Sequence, residues 1–191
     1  MLKKLTDKQK ISVCVIGTLL LGYLFGCICI RFFYLDDLPY LTECIRSILN
    51  GGTASGGLYA FSDTVLYVVL VCFLGYSMAG FVLVFPVVFL KAYMTGFYAT
   101  LCYITYGLRG GIVVATVIMP VSLLLFMVLC VLGSEAVEFS YKTVCLKSED
   151  RVRCLKKYSA TCAVTLVISV GLMFWEWYLT PYILAGIHGI L

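Results

Sequence analysis

The feature that most constrains this chain is a series of apolar runs of about twenty residues that carry no charged side chain. An α-helix needs about 20 apolar residues to cross the roughly 30 Å hydrocarbon core of a bilayer. A helix of a soluble protein would instead place charged side chains on its outer face every turn or two. The runs therefore predict an integral membrane protein that crosses the bilayer several times.

Composition agrees with this prediction. The 191 residues are 62% hydrophobic and 13% charged, whereas about a quarter of the residues of a soluble domain are charged. This length accommodates about five spanning helices with short loops, or four with a larger outer segment. We expect an all-α fold, a polytopic transmembrane helical bundle that forms a single membrane domain over residues 1–191.

Basic residues orient the predicted helices. They cluster in the first ten residues and again in residues 134–158, and the positive-inside rule places both segments in the cytoplasm. Residues 34–63 are acidic and rich in glycine, and we expect an outer loop there. An even number of crossings must precede the basic loop, so four precede it and one follows. The predicted spans are residues 11–33, 64–85, 86–106, 112–132 and 160–178.

The apolar stretch over residues 64–106 is too long for one crossing and must be broken once. Two positions qualify, the small-residue stretch 75–80 and the neighbourhood of Pro86 to Lys91. We favour the second, because proline interrupts helices and lysine prefers the cytoplasmic interface. Residues 107–111 predict an outer hairpin, and Pro120 should kink the fourth span.

No motif in the sequence indicates catalysis, and the single histidine is His188, close to the end. Seven of the ten cysteines lie in apolar runs, where cysteine acts as a small hydrophobic residue. Cys145 and Cys154 match no common zinc spacing. We expect no catalytic, cofactor-binding or metal-binding residue, and therefore no enzyme. The basic clusters indicate topology, so the expected partner is the lipid bilayer and not nucleic acid.

Ionisable residues near hydrocarbon are the more informative candidates: Lys91, Glu135, Glu138 and Glu176. In one interpretation Lys91 snorkels from a helix end, the two residues Glu135 and Glu138 occupy a cytoplasmic helix extension, and Glu176 lies at the outer interface. In the other, they form an intramembrane polar cluster that locks helices together or lines a pathway. The sequence leaves both open.

Small residues recur at helix-packing spacing. Gly22 and Gly26 form a GxxxG pattern, and Ala92 and Gly96 repeat the spacing in the third span. Such patterns favour close helix packing, either within the chain or between two copies in a homo-oligomer.

Residues 64–185 resemble the stage II sporulation protein M family. The resemblance lies in these groups: Leu74-Gly75-Tyr76-Ser77 through Gly80, Phe85-Pro86, Phe89-Leu90-Lys91-Ala92, Gly96-Phe97, Tyr106-Gly107-Leu108-Arg109-Gly110, Ile118-Met119-Pro120, and Glu176-Trp177-Tyr178-Leu179-Thr180-Pro181. The chain departs from the family at Ala92, where glycine is usual, and at Val121-Ser122, where a polar pair is usual. These departures indicate a diverged member.

The resemblance implies a multi-pass protein of the bacterial inner membrane, with about five spans, that anchors the engulfment machinery during endospore formation. Its partners would be membrane-bound peptidoglycan hydrolases, the stage II sporulation proteins D and P. A different function stays open, a small permease or transport subunit, because Lys91, Glu176 and helices interrupted at Pro86 and Pro120 can line a path.

Overall fold

The computed structural model describes residues 7–33, 54–77, 79–145 and 148–188. Its elements are α1 (Asp7–Phe33), α2 (Ala54–Tyr76), α3 (Gly80–Tyr106), α4 (Leu108–Val113), a π-helical segment (Val114–Ile118), α5 (Met119–Cys145) and α6 (Ser148–His188). Nearly every described residue is helical, which confirms the predicted all-α helical bundle.

Four of these helices are long and apolar enough to cross a membrane. By length and composition, the segments that could span it are Gln9–Ile30, Gly80–Thr105, Met119–Tyr141 and Val152–Trp175, and α2 adds the shorter apolar helix Thr64–Tyr76. Large apolar side chains such as Leu24 and Val167 are exposed on the outside of the bundle. By composition and helix length the chain is a multi-pass membrane protein.

The break within residues 64–106 lies at Ser77 to Ala79, and the prediction that it falls at Pro86 to Lys91 is wrong. The Ser77 N–H donates to the Leu74 carbonyl at 2.9 Å, which closes a tight turn. A Cβ atom at Gly80 would collide with that same carbonyl, so the reversal needs glycine there. Pro86 instead lies inside α3 and is exposed. A membrane helix tolerates the one hydrogen bond that proline removes, because neighbouring groups compensate.

The described parts of two predicted loops are helical. The basic loop 134–158 is wrong as a loop, because α5 continues to Cys145 and α6 begins at Ser148. Charged side chains can lie on the exposed face of a helix that leaves the membrane, so charge alone does not indicate a loop. Of the predicted outer loop 34–63, residues 34–53 lie outside the described part of the chain. Its remainder belongs to α2, which begins at Ala54.

At the predicted hairpin of residues 107–111, the structure has a turn at the single residue Gly107. Gly107 has φ of 60°, a conformation that favours glycine, and its N–H donates to the Tyr103 carbonyl at 2.9 Å. The short helix α4 follows at once. Pro120 is the second residue of α5 and directly follows the π-helical segment. The backbone irregularity therefore lies before the proline, at the start of α5, and not in the middle of a span.

The helices pack around α5, which contacts α1, α2, α3 and α6. Helices α1 and α3 run in the same direction, since Gly22 lies beside Phe89 and Gly26 lies one turn further along beside Tyr93. Because α1 and α3 are parallel neighbours, the chain that connects the end of α1 to the start of α3 must run back along the length of the bundle. Among the described residues, α2 makes that return, which favours a crossing by α2.

Candidate functional site

Among the side chains that the structure describes, the only buried lysine is Lys91, which lies two residues from the middle of the 27-residue helix α3. Its position is about 16 Å from the start of the helix. The side chain is 9% exposed, and its Nζ atom lies 5.0 Å from the centroid of the Tyr67 ring on α2. The interpretation that Lys91 snorkels from a helix end is therefore wrong, because the helix does not end there.

The surroundings of Lys91 on α3 are closely packed. The preceding and following turns present Val88 and Thr95, both buried, and Ala92 next to the lysine is fully buried. The Thr95 hydroxyl donates to the Lys91 backbone carbonyl at 3.0 Å. A cation facing an aromatic ring in a desolvated position gains about 2 kcal/mol. This contact joins α3 to α2.

Gly96 belongs to a close crossing of α1 and α3. A Cβ atom on Gly22 would lie 2.6 Å from the Phe89 carbonyl oxygen, and one on Gly96 would collide with the Tyr23 carbonyl. The Cys27 thiol donates to the Gly96 carbonyl at 3.6 Å across the same seam. The small residues of α1 and α3 therefore pack against each other within the chain.

Tyr158 holds α6 against α2, a contact that the sequence analysis missed. Its hydroxyl donates to the Cys72 carbonyl at 3.0 Å and to the Val71 carbonyl at 3.3 Å. Its ring stacks on Phe139 of α5, with centroids 4.9 Å apart and planes 3° apart, and meets Tyr76 edge to face. The one signal in the sequence was a tyrosine at the start of an apolar run.

Ser140 of α5 fastens the turn between α2 and α3. Its hydroxyl donates to the Ser77 carbonyl at 2.8 Å and accepts the Phe81 N–H at 3.1 Å. The N-cap residue of α3, Ala79, makes no side-chain cap hydrogen bond. Ser140 thus supplies from another helix the acceptor that a cap residue would normally provide.

Glu135 pairs with Lys157 between α5 and α6. The Lys157 Nζ atom lies 3.2 Å from Glu135 Oε2, and the side chains are 62% and 13% exposed. Glu135 and the half-buried Glu138 lie beyond the predicted span 112–132, but within the apolar segment Met119–Tyr141 of α5. The position of these two carboxylates along α5 is thus compatible with either interpretation.

The remaining predicted residues do not join Lys91 in one site. Pro86 and Pro120 are exposed, whereas Lys91 faces the interior. The backbone of α6 continues through position 176, but the Glu176 side chain lies outside the described part of the chain. Of the residues proposed to line a pathway, the structure therefore places the two prolines on the outside of the bundle and Lys91 in its interior.

Two cavities lie along α6. The larger measures about 480 Å³ and lies between α5 and α6, and the smaller measures about 270 Å³. Lys91 lines neither. Within the described ranges, no three His, Cys, Asp or Glu side chains are grouped closely enough to hold a metal ion. The candidate site is thus a set of polar contacts between helices, with Lys91 and Tyr158 at two different levels.

In comparisons with known proteins, no protein-family model, curated protein or solved structure matches the chain.

Proposed function

We propose that this chain is a non-enzymatic integral membrane scaffold that anchors or recruits other membrane proteins. The observation that carries the proposal is that polar side chains in the bundle join one helix to another. Lys91 joins α3 to α2, Tyr158 joins α6 to α2, and Ser140 joins α5 to the turn before α3. A bundle locked in this way presents a fixed outer surface to its partners.

The partners that we propose are membrane-bound peptidoglycan hydrolases, the stage II sporulation proteins D and P, in a bacterial inner membrane. The support for this step is the resemblance of residues 64–185 to the stage II sporulation protein M family. Confinement of both proteins to one membrane raises their effective concentration, so modest helix contacts suffice for recruitment. Apolar side chains exposed on α1, such as Leu20, Leu24 and Ile28, offer one surface for such contacts.

The test is recovery of partners from native membranes. The tagged chain is expressed in an endospore-forming bacterium, crosslinked during engulfment, and purified in mild detergent for mass spectrometry. The control is an unrelated five-span protein with the same tag and abundance. Enrichment of the D and P proteins over this control supports the proposal. Their absence from an intact, correctly inserted chain contradicts it.

A small permease or transport subunit is the second candidate, and the burial of Lys91 in mid-helix favours it. An ionisable residue at this depth is costly and often marks an ion or substrate path. The test is ion conductance across planar bilayers that contain the purified chain. A conductance that is present in the wild type and abolished by Lys91→Met would establish transport and set the scaffold aside. If bilayers that contain correctly inserted protein show no conductance, the transport function is contradicted.

A further inference from the structure

The cavity of about 480 Å³ between α5 and α6 is a groove open to the outside of the bundle. Its walls are apolar side chains that include Met127 and Val131 of α5 and Val164 and Ile168 of α6. All four are substantially exposed in the chain by itself. Within a membrane, either a lipid chain or a partner helix must therefore fill the groove.

One end of the groove carries a charge. Lys157 is part of its lining and is the last charged residue before an uncharged run that extends from Tyr158 to Trp175. This 18-residue run is about 27 Å long as a helix, close to the thickness of the hydrocarbon core. Lys157 therefore lies at the level of the lipid headgroups.

The length of the groove distinguishes a lipid acyl chain from a partner helix as its occupant. From Lys157 to Ile168 the helix rises about 16 Å, which is half the hydrocarbon thickness. Such a depth fits the acyl chain of one leaflet. A partner helix that crosses the membrane would instead need a groove along the full height of α6.

The charges at the headgroup end favour an anionic lipid. Arg153 and Lys156 are exposed within about one turn of Lys157. Glu135 accepts from Lys157, but the lysine is 62% exposed, which leaves its ammonium group open to a second acceptor. Basic residues between helices at this level are suited to phosphate headgroups.

We infer that the α5–α6 groove binds an anionic glycerophospholipid, with one acyl chain along Val131 and Val164 and the phosphate beside Lys157. The bound lipid completes the outer surface of the bundle between the two helices. This inference does not depend on the scaffold function, because the groove is a property of the helices themselves.

The test uses the full chain in mild detergent and native mass spectrometry. Phosphatidylglycerol and phosphatidylcholine with identical acyl chains are added in equal amounts, and the lipid retained by the protein is counted. The expected result is preferential retention of phosphatidylglycerol. Lys156→Gln and Lys157→Gln should each weaken its retention about fivefold, the effect of one basic residue near an anionic surface.

A second pair of variants tests the groove itself. Val164→Phe fills the groove from an exposed position and should abolish specific retention without affecting the fold. Its matched control is Val170→Phe, an exposed position of α6 that lines neither cavity. Equal retention of both lipids, unchanged retention by Val164→Phe, or a protein crosslinked through the groove in native membranes would each overturn the inference.

Discussion

The hydroxyl of Tyr158 on α6 donates to the backbone carbonyl of Cys72 on α2 across a distance of 3.0 Å, although 86 residues separate them. The same side chain stacks on Phe139 of α5. Three helices are therefore joined by one residue, close to the turn between α2 and α3.

Removal of this hydroxyl should weaken the bundle by a modest amount. Tyr158→Phe keeps the stacked ring and loses the hydrogen bond, and we expect a loss of about 0.6 to 1 kcal/mol in the free energy of unfolding. Tyr158→Ala also loses the ring contacts, and we expect about 3 kcal/mol. Unfolding in mixed detergent micelles measures both. The control, Tyr141→Phe, changes an exposed tyrosine of α5, and an equal loss there would contradict a special role for Tyr158.

The seam between α1 and α3 should reject even one added methyl group. Gly26→Ala and Gly96→Ala place a Cβ atom against the backbone carbonyls of Tyr93 and Tyr23. The helices must separate, and we expect a loss of about 1 to 3 kcal/mol in each case. Gly17→Ala is the matched control, because a Cβ atom there meets nothing within 4 Å. A thermal shift assay in detergent compares the three, and similar melting temperatures for all would show that the seam is loose.

The pairing of Lys91 with Tyr67 predicts a coupling energy between α3 and α2. Lys91→Met removes a buried charge and its desolvation cost, so we expect little or no loss of stability. Tyr67→Leu removes the ring and leaves the charge buried, so we expect the bundle to be destabilised. In a double-mutant cycle that includes both changes, the coupling should be about 1 to 2 kcal/mol. Additive effects of the two substitutions would show that the ring does not stabilise the lysine.

The five-crossing topology predicts the location of each connection. A reporter inserted at residue 146 should be cytoplasmic, and one fused after residue 191 should be outside. The decisive site is within residues 34–53, which should be outside if α2 crosses the membrane. A fluorescent reporter that is active only in the cytoplasm and an enzyme reporter that is active only in the periplasm should give opposite signals at each site. Each reporter therefore checks the other. A cytoplasmic signal from a reporter between α1 and α2 would show that α2 does not cross the membrane.

Much of the architecture could be predicted because charge is excluded from hydrocarbon. The uncharged runs predicted helices in places where the structure has α1, α3, α5 and α6. For the break between α2 and α3 the sequence offered two positions, and the wrong one was favoured because Pro86 is a stronger local signal than the glycines at 75 and 80. Those glycines act through contacts with Tyr158 and the Leu74 carbonyl, which exist only in the folded bundle.

The candidate site, too, could be predicted only in part, because its contacts join residues that are distant in the sequence. Lys91 was selected from its charge and from the family resemblance, whereas Tyr67, which its ammonium group faces, was not selected, because a tyrosine in an apolar run has no distinctive pattern. Ser140 was not singled out for the same reason: serine is common in membrane helices, and its bridge to the α2 to α3 turn requires residues that are 59 and 63 positions away. Spacing along one helix predicts its own faces, but not which face of another helix it meets.

The seam between α1 and α3 also has a consequence for biosynthesis. Gly26 packs beside α3, but Gly96 is made 70 residues later, which is about 4 to 14 seconds at ordinary rates of translation. During that interval α1 must reside in the lipid without its principal partner. Its spanning segment has the highest mean hydropathy of the four. The helix that is made before its partner is thus also the more apolar of the two, and so the better suited to reside alone in the bilayer.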